Sequence, residues 1–525
     1  MLTTALQAVD TKAAMFSTQT APIDWLIVAP VVIPLIAAAL LILMRRFASL
    51  HPPVALLALA GTIASGALLL ERVMAQGPQA MTMGNWFPPF GISFTADLLG
   101  VILTLTSSVA VFCVVLFAVG DVSERERRYG FFALLMTLLV GVNGSFLTGD
   151  VFNLYVWFEV FLISSFGLIV MGGTPKQLDG AVKYCFLNLI ATTLFLIATG
   201  YVYGVYGTLN MADLSGMIAA KPFEGPIVII AILYFVAFSM KAAAFPLYFW
   251  LPASYHTPKI VVSAVFAGLL TKVGVYALLR TFTVIIPPAG DSWMMQLMLY
   301  VGVATLVCGA LGAVVQTDLR RLFSYLLVAS IGFMMVGCSL QSEKALAATL
   351  YYMVHSMLVM TALFLIAGVV QHLRGSLDLR ALSGVNKDFP ALSFMFLILG
   401  FMAMGFPPFS GFWPKLVLIS ESLNQQAYIG TGAIIFSSFL SIVALGRAFA
   451  FGFWRPLEES QVGDSDVLTS VPASRKLQYV PVLVLIGLAG LIGVLPALLF
   501  DPATLAAKGL LDSAAYVKAV LGGAL

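Results

Sequence analysis

The 525-residue sequence predicts an all-α polytopic membrane protein of 14 transmembrane helices, with inverted five-helix repeats over spans 4–8 and 9–13 and with spans 7 and 12 broken. Three observations carry this. The chain is 61% hydrophobic and 10% charged, against about 25% charged residues in soluble domains. Apolar stretches of about 18 residues or more, each long enough to cross a bilayer, recur along the whole length. Two proline-broken stretches that each carry a lysine, YFVAFSMKAAAFPLYFWLP (234–252) and GFMAMGFPPFSGFWPKLVLI (400–419), fall five spans apart. Units of five spans insert with opposite orientation, an architecture common among transporters.

The elements follow in order. Spans 1–3 (24–44, 53–72, 95–119) belong to an N-terminal segment, 1–128. The first repeat, 129–285, holds spans 4–8 at 129–147, 150–171, 183–206, 226–250 and 260–284. The second, 286–450, holds spans 9–13 at 294–315, 322–340, 346–371, 390–423 and 427–449. The remainder, 451–525, comprises a loop with Glu458, Glu459, Asp464 and Asp466, span 14 (480–500) and a tail in which Leu505, Leu510, Leu511, Tyr516 and Val517 alternate with polar residues. That tail reads as an amphipathic helix on the membrane surface. With both termini outside, 17 of the 27 lysines and arginines fall in cytoplasmic loops and 7 outside, which fixes the orientation by the positive-inside rule. The remaining three are Lys241, Lys272 and Lys415. No basic segment precedes the first apolar run, so no cleavable signal peptide is expected. Cys113, Cys185, Cys308 and Cys338 are scattered through apolar segments and read as small buried hydrophobes.

A lysine at the middle of an apolar helix costs roughly 2.5–3.5 kcal/mol on insertion scales, and three of them point to movement of protons or small cations. Glu159, in LYVWFEVFLISSFGL, needs a nearby cation to remain ionised, and Lys241 is the expected partner. Pro246 cannot donate to the Ala242 carbonyl, so the break beside Lys241 predicts a polar, hydrated spot. Lys272 sits mid-span in VFAGLLTKVGVYALL, where Thr271 offers a local hydrogen bond. His355, in LYYMVHSMLVM, carries an imidazole, whose reference pKa is near 6.5, and is a natural shuttle toward Lys415. Around Lys415, Pro407, Pro408, Pro414, Gly405 and Gly411 predict a broken helix that bares backbone carbonyls near the amine. A secondary path takes in Lys183 at the start of span 6, also a fair lipid-headgroup anchor, and His256 in the turn LPASYHTPK. Asn153, Asn188, Ser263, Ser324 and Ser330 are candidates to hold water between the charges.

Other chemistries lack their motifs. There is no G-x-x-x-x-G-K-[S/T], no G-x-G-x-x-G after a strand and no metal-ligand set. No cofactor, metal or nucleic acid is expected, and proton movement must be driven by an ion gradient or by a partner.

The runs GVNGSFLTGDVFNLYVWFEV (141–160), MKAAAFPLYFWLPASYHTP (240–258), AGLLTKVGVYALLR (267–280), QTDLRRLFSYLLVASIGFM (316–334) and MGFPPFSGFWPKL (404–416) resemble the antiporter-like membrane subunits. That family comprises the proton-pumping subunits of respiratory complex I and the large subunits of Mrp-type cation/proton antiporters, and the first and third runs look most like the D-type subunit of the latter. The resemblance covers spans 3 to 13. It implies fourteen helices with broken spans 7 and 12, and a proton path through Glu159, Lys241, Lys272, His355 and Lys415. It implies too a multi-pass subunit of the bacterial cytoplasmic membrane, assembled with other membrane subunits and exchanging H+ for Na+ or K+. The segment HTPKIVVSA departs from the acid-x-P-T-P-V-S pattern of the complex I subunits, which makes a proton-pumping NADH-quinone oxidoreductase subunit the alternative.

Overall fold

A computed structural model describes residues 21–219, 225–287, 292–456 and 477–522. In chain order the helices are α1 (Trp25–Leu43), α2 (His51–Gln76), α3 (Leu98–Ala118), α4 (Glu124–Arg128), α5 (Phe131–Leu147), α6 (Val151–Val170), α7 (Pro175–Tyr206), α8 (Met211–Ala219), α9 (Pro226–Ala242), α10 (Trp250–Ser254), α11 (Ile260–Val265) and α12 (Thr271–Arg280). They continue with α13 (Trp293–Val315), α14 (Leu319–Ser339), α15 (Glu343–Arg374), α16 (Val385–Asp388), α17 (Pro390–Met404), α18 (Phe412–Asn424), α19 (Tyr428–Phe449), α20 (Tyr479–Val494), α21 (Ala497–Leu511) and α22 (Ala514–Leu521). Between α2 and α3, β1 (Gln79–Thr82) pairs antiparallel with β2 (Ser93–Ala96), Gln79 opposite Ala96. The all-α expectation missed this hairpin, whose second strand overlaps the start expected for span 3.

Among the described residues, 11 helical stretches are long and apolar enough to cross a membrane. The pair α20–α21, bent by 75°, makes a twelfth, and α5 and α17 are shorter apolar helices. The count of fourteen read from the sequence is larger because it includes α5 and treats α17 with α18 as one span. Span 14 turns sharply at Leu495–Pro496 instead of running on to 500. The loop acids Glu458, Glu459, Asp464 and Asp466 lie outside the described residues.

Short polar side chains start the helices. Asp97, Asp150 and Asp318 accept the first free N–H groups of α3, α6 and α14, and Thr174 with Gln177 forms a capping box on α7. Such caps matter at the membrane edge, where orphan N–H groups have little water.

Several local constructions occur twice. At Asp150, the N–H of Val151 bonds to Leu209 O; at Asp318, the N–H of Leu319 bonds to Leu377 O. The helices α7 and α15 each have 32 residues and each stops at a left-handed glycine, Gly207 and Gly375. Both α9 and α17 stop at a left-handed residue, Ala243 (φ 66°) and Gly405 (φ 87°). In each case the next N–H reaches back five residues, Ala244 to Ser239 O and Phe406 to Phe401 O. Finally, α12 and α19 both run into a turn of π-helix, at 281–285 and 450–454.

The stretch Ile260–Ile285 and α15 are the innermost spans, their apolar windows wholly buried. They approach closely at Gly268, where a Cβ would collide with the Thr361 hydroxyl. The molecule therefore puts its two most shielded helical spans, which carry Lys272 and His355, side by side. The tail packs on the protein: α21 lies against α15 and α22 against α8, with Leu510 and Tyr516 buried.

Candidate functional site

Lys241 is 4% exposed, one residue before the end of α9. Its Nζ has no hydrogen-bond partner among the described residues and lies 5.8 Å from the centre of the Phe158 ring. Glu159, next to Phe158 on α6, is half-buried and acts on the amine electrostatically without forming an ion pair within 4 Å. The expected partnership is thus electrostatic, with no ion pair between the two groups among the described residues. At the break beside it, two main-chain carbonyls are taken up within the protein. The carbonyl of Ser239 is taken by the N–H of Ala244, and that of Met240 by the Trp250 indole N–H at 3.1 Å. Protein groups close those carbonyls, and it is the amine that is left open. The N–H of Phe245 donates to Thr305 Oγ1 at 2.9 Å, tying the break to α13.

Lys272 is fully buried, and its Nζ donates to Ala267 O at 2.7 Å. Ala267 belongs to a π-helical turn, Phe266–Leu270; such turns widen the backbone ladder and leave a carbonyl for a side chain. Thr271, expected to assist, has no hydrogen-bond partner for its hydroxyl among the described residues. Gly274 permits the contact with α9: a Cβ there would stand 2.6 Å from Ala242 N.

His355, 2% exposed on α15, pairs its Nδ1 with Ser410 Oγ at 2.8 Å. It lies in the electrostatic field of both Lys415 and Lys272. Lys415 donates to Met404 O at 2.7 Å, with Ala403 O at 3.4 Å. This is the predicted bared end of a broken helix, and a cation there also meets the negative end of the α17 dipole. Beside Lys415 a cavity of about 20 Å3, room for one or two waters, is lined by Ser330, Ser437, Ser438 and Ser441 among apolar residues. The two lysines are not counterparts: Lys241 stands two residues before Ala243, and Lys415 ten residues after Gly405.

Other candidates are placed elsewhere. Lys183 is exposed and paired with Asp179 at 2.6 Å. His256 is buried. Its Nδ1 donates to Pro252 O at 2.9 Å while Nε2 accepts from Arg321 at 3.2 Å. Burial, then Arg321 and Lys176, push its pKa down to about 4, so it is neutral near pH 7. Asn188, Ser263 and Ser324 bond back to nearby main-chain carbonyls, at Tyr184, Tyr255 and Arg320. Asn153 donates to Thr148 Oγ1 at the start of α6. Of the polar residues proposed to hold water, Ser330 alone lines the Lys415 cavity.

Sequence reasoning missed five of the groups that surround these side chains. Ser410 was legible as a hydroxyl inside the broken PPFSGF run. Ser437 and Ser441, four apart on one helix face, were legible too. Phe158 and the Ala267 carbonyl left no signal.

The bundle thus holds three lysines, a histidine and a half-buried carboxylate beside two broken helices. The family model described as NADH:quinone oxidoreductase/Mrp antiporter, TM, matches residues 148–441, a range that includes all five of these groups. The D-type subunit of the Na+/H+ antiporter of Alkalihalophilus pseudofirmus is 36% identical over 496 residues, 94% of this chain and 99% of that protein. A chain in the structure of the Mrp complex from Dietzia sp. DQ12-45-1b superposes with a TM-score of 0.87 at 27% identity, covering 96% of this chain and all of the other. A chain of respiratory complex I from Thermus thermophilus shares the fold alone, with a TM-score of 0.79 at 21% identity over 94% of this chain and 99% of its own. The chain belongs to the membrane-subunit family common to NADH:quinone oxidoreductases and Mrp antiporters.

Proposed function

We propose that this chain is the proton-translocating subunit of a multisubunit monovalent cation/proton antiporter, passing H+ along Glu159, Lys241, Lys272, His355 and Lys415 in exchange for Na+ or K+. The observation that carries the reading is the set of three lysines inside the apolar bundle. Among the described residues one has no hydrogen-bond partner, and two are held by carbonyl contacts to bared backbone. An amine held so weakly by fixed partners can take and release a proton as neighbouring charge changes. Glu159 modulates Lys241, Lys272 passes the proton toward His355, and His355 hands it to Lys415. The work is transport, with no covalent chemistry asked of this chain.

The reading extends to architecture. Fourteen spans follow when α5 and the α17–α18 pair are each counted as one, and the twice-used caps, glycine stops, broken helices and π-turns support inverted repeats at spans 4–8 and 9–13. Both termini face outward. In support, Lys259, Arg320, Arg321, Arg374, Arg380 and Arg455 fall into linked contacts at one end of the bundle. The partners are further membrane subunits and the lipid bilayer of a bacterial cytoplasmic membrane. The relative named as part of a Na+/H+ antiporter, and the absence of the acid-x-P-T-P-V-S pattern at 256–264, favour this over membership of a quinone-reducing complex.

Vesicles of the assembled complex test the proposal. Lys241→Ala and Glu159→Ala are each expected to abolish cation/proton antiport while the complex still assembles. Normal antiport by either variant removes the residue from the path and sinks the assignment.

A further inference from the structure

At the end of the bundle that carries Lys259 and Arg320, the connection between α1 and α2 packs against α4. Between them opens a cavity of about 430 Å3 lined by Arg45, Glu124, Arg125, Arg128 and Tyr129. Glu124 is bonded to Arg128 at 2.5 Å, so these two charges largely answer one another. Arg125 lies over the Tyr129 ring at 5.5 Å. No ion pair involves Arg45 or Arg125 among the described residues, and the cavity keeps two positive charges without a protein counterion. Below it, Ile36, Leu40 and Leu43 of α1 are 54, 45 and 79% exposed. Spaced i, i+4, i+7, they form one apolar stripe about 10 Å long that runs away from the arginines toward the bilayer interior.

We propose that this cavity is a binding site for one anionic phospholipid, its phosphodiester held by Arg45 and Arg125 and its acyl chains laid along α1. Guanidinium groups match phosphate oxygens in a planar, bidentate way, and basic pockets at a helix end on the cytoplasmic side favour anionic headgroups. The apolar stripe joined to the pocket is what selects a lipid over a free phosphate. The Glu124 carboxylate, held by Arg128, opposes a second negative charge in the same cavity, so a single phosphodiester suits it better than a polyanion. Neither arginine belongs to the proton path, and the site stands whether or not that path is correct.

The test uses the whole complex reconstituted with a phosphatidylglycerol that carries a photoactivatable group on an acyl chain, followed by peptide mapping. Wild type is expected to be labelled on α1 around Ile36–Leu43. Arg45→Gln with Arg125→Gln should lower that labelling at least tenfold, while Arg45→Lys with Arg125→Lys retains most of it. Equal labelling by the phosphatidylcholine analogue, unchanged labelling in the glutamine variant, or an α1 face already shielded by a partner helix would each overturn the proposal. Loss of labelling in 10 mM inorganic phosphate would identify a free-anion site and overturn it too.

Discussion

At the scale of single residues, the buried cations are held in different ways. Lys415 has a carbonyl at 2.7 Å, whereas Lys241 has, among the described residues, a ring face and the field of Glu159. His355 feels the charge of both Lys272 and Lys415 and is hydrogen-bonded to Ser410. Among the described residues Ser410 bonds to the imidazole and pairs with no cation, so on the proposed path it would act through His355 by setting its tautomer. Ser410→Ala is expected to slow antiport roughly threefold to tenfold, below the 10²–10⁴ range of a full acid–base group, and Ser410→Thr to restore it. Unchanged transport in the alanine variant would mean that His355 needs no orienting partner. His256 makes the opposite case. Its folded pKa of about 4 lies under the ordinary 6.5, so between those values the unfolded chain binds a proton that the folded chain does not. Stability therefore falls as pH drops through that window and is fully present above it. His256→Gln should flatten this acid loss in thermal melts and leave the pH profile of antiport between 6 and 9 unaltered. A shifted transport profile would put His256 back on the path.

At the scale of elements, the two breaks are the same turn built from different residues. Ala243 adopts the left-handed conformation at φ 66°, which costs an L-residue about 1–2 kcal/mol, while Gly405 at φ 87° adopts it freely. Ala243→Gly is expected to preserve antiport and to hold or raise the melting temperature, the relief being offset in part by the entropy of an unfolded glycine. Gly405→Ala should do the reverse, since its Cβ would stand 2.9 Å from Lys415 Cδ and 3.1 Å from Gly411 O. Measured together, a fall in stability for Ala243→Gly or full activity for Gly405→Ala would refute the shared-turn account. These breaks were readable in the sequence because Pro246, Pro407 and Pro408 remove donors from long apolar runs. The spans were readable because membrane insertion demands length and apolarity, properties of composition. The π-turn at 266–270 was not, because one residue's slip in a helix that is apolar all round leaves no mark on the hydrophobic pattern. For the same reason the carbonyl that holds Lys272 could not be foreseen, although Lys272 itself stood out.

At the scale of the whole molecule, the interior is tied together at both ends and in the middle. At one end Arg280, 1% exposed, bonds to Asp97 at 2.7 Å and lies over the Tyr516 ring at 5.3 Å, locking α22 of the tail to α12 and to the start of α3. At the other, His372 bonds to Asp121 at 2.9 Å and Lys259 to Glu126 at 2.6 Å, joining α15 and the start of α11 to the α3–α4 turn. Between these clamps, the contact of Gly268 with Thr361 presses the turn that holds Lys272 against the helix that holds His355. If protons cross from the first half to the second there, Lys272 and His355 serve one path and their losses must not multiply. Lys272→Arg and His355→Gln, chosen because each keeps a polar group in place, are expected to slow antiport individually, and the double variant to be little slower than the worse single one. The readout is the initial rate of cation-driven pH change in vesicles with equal amounts of assembled complex. A double variant whose defect equals the product of the single ones would show two groups working independently, and the relay would have to be divided into separate routes on either side of the Gly268–Thr361 contact.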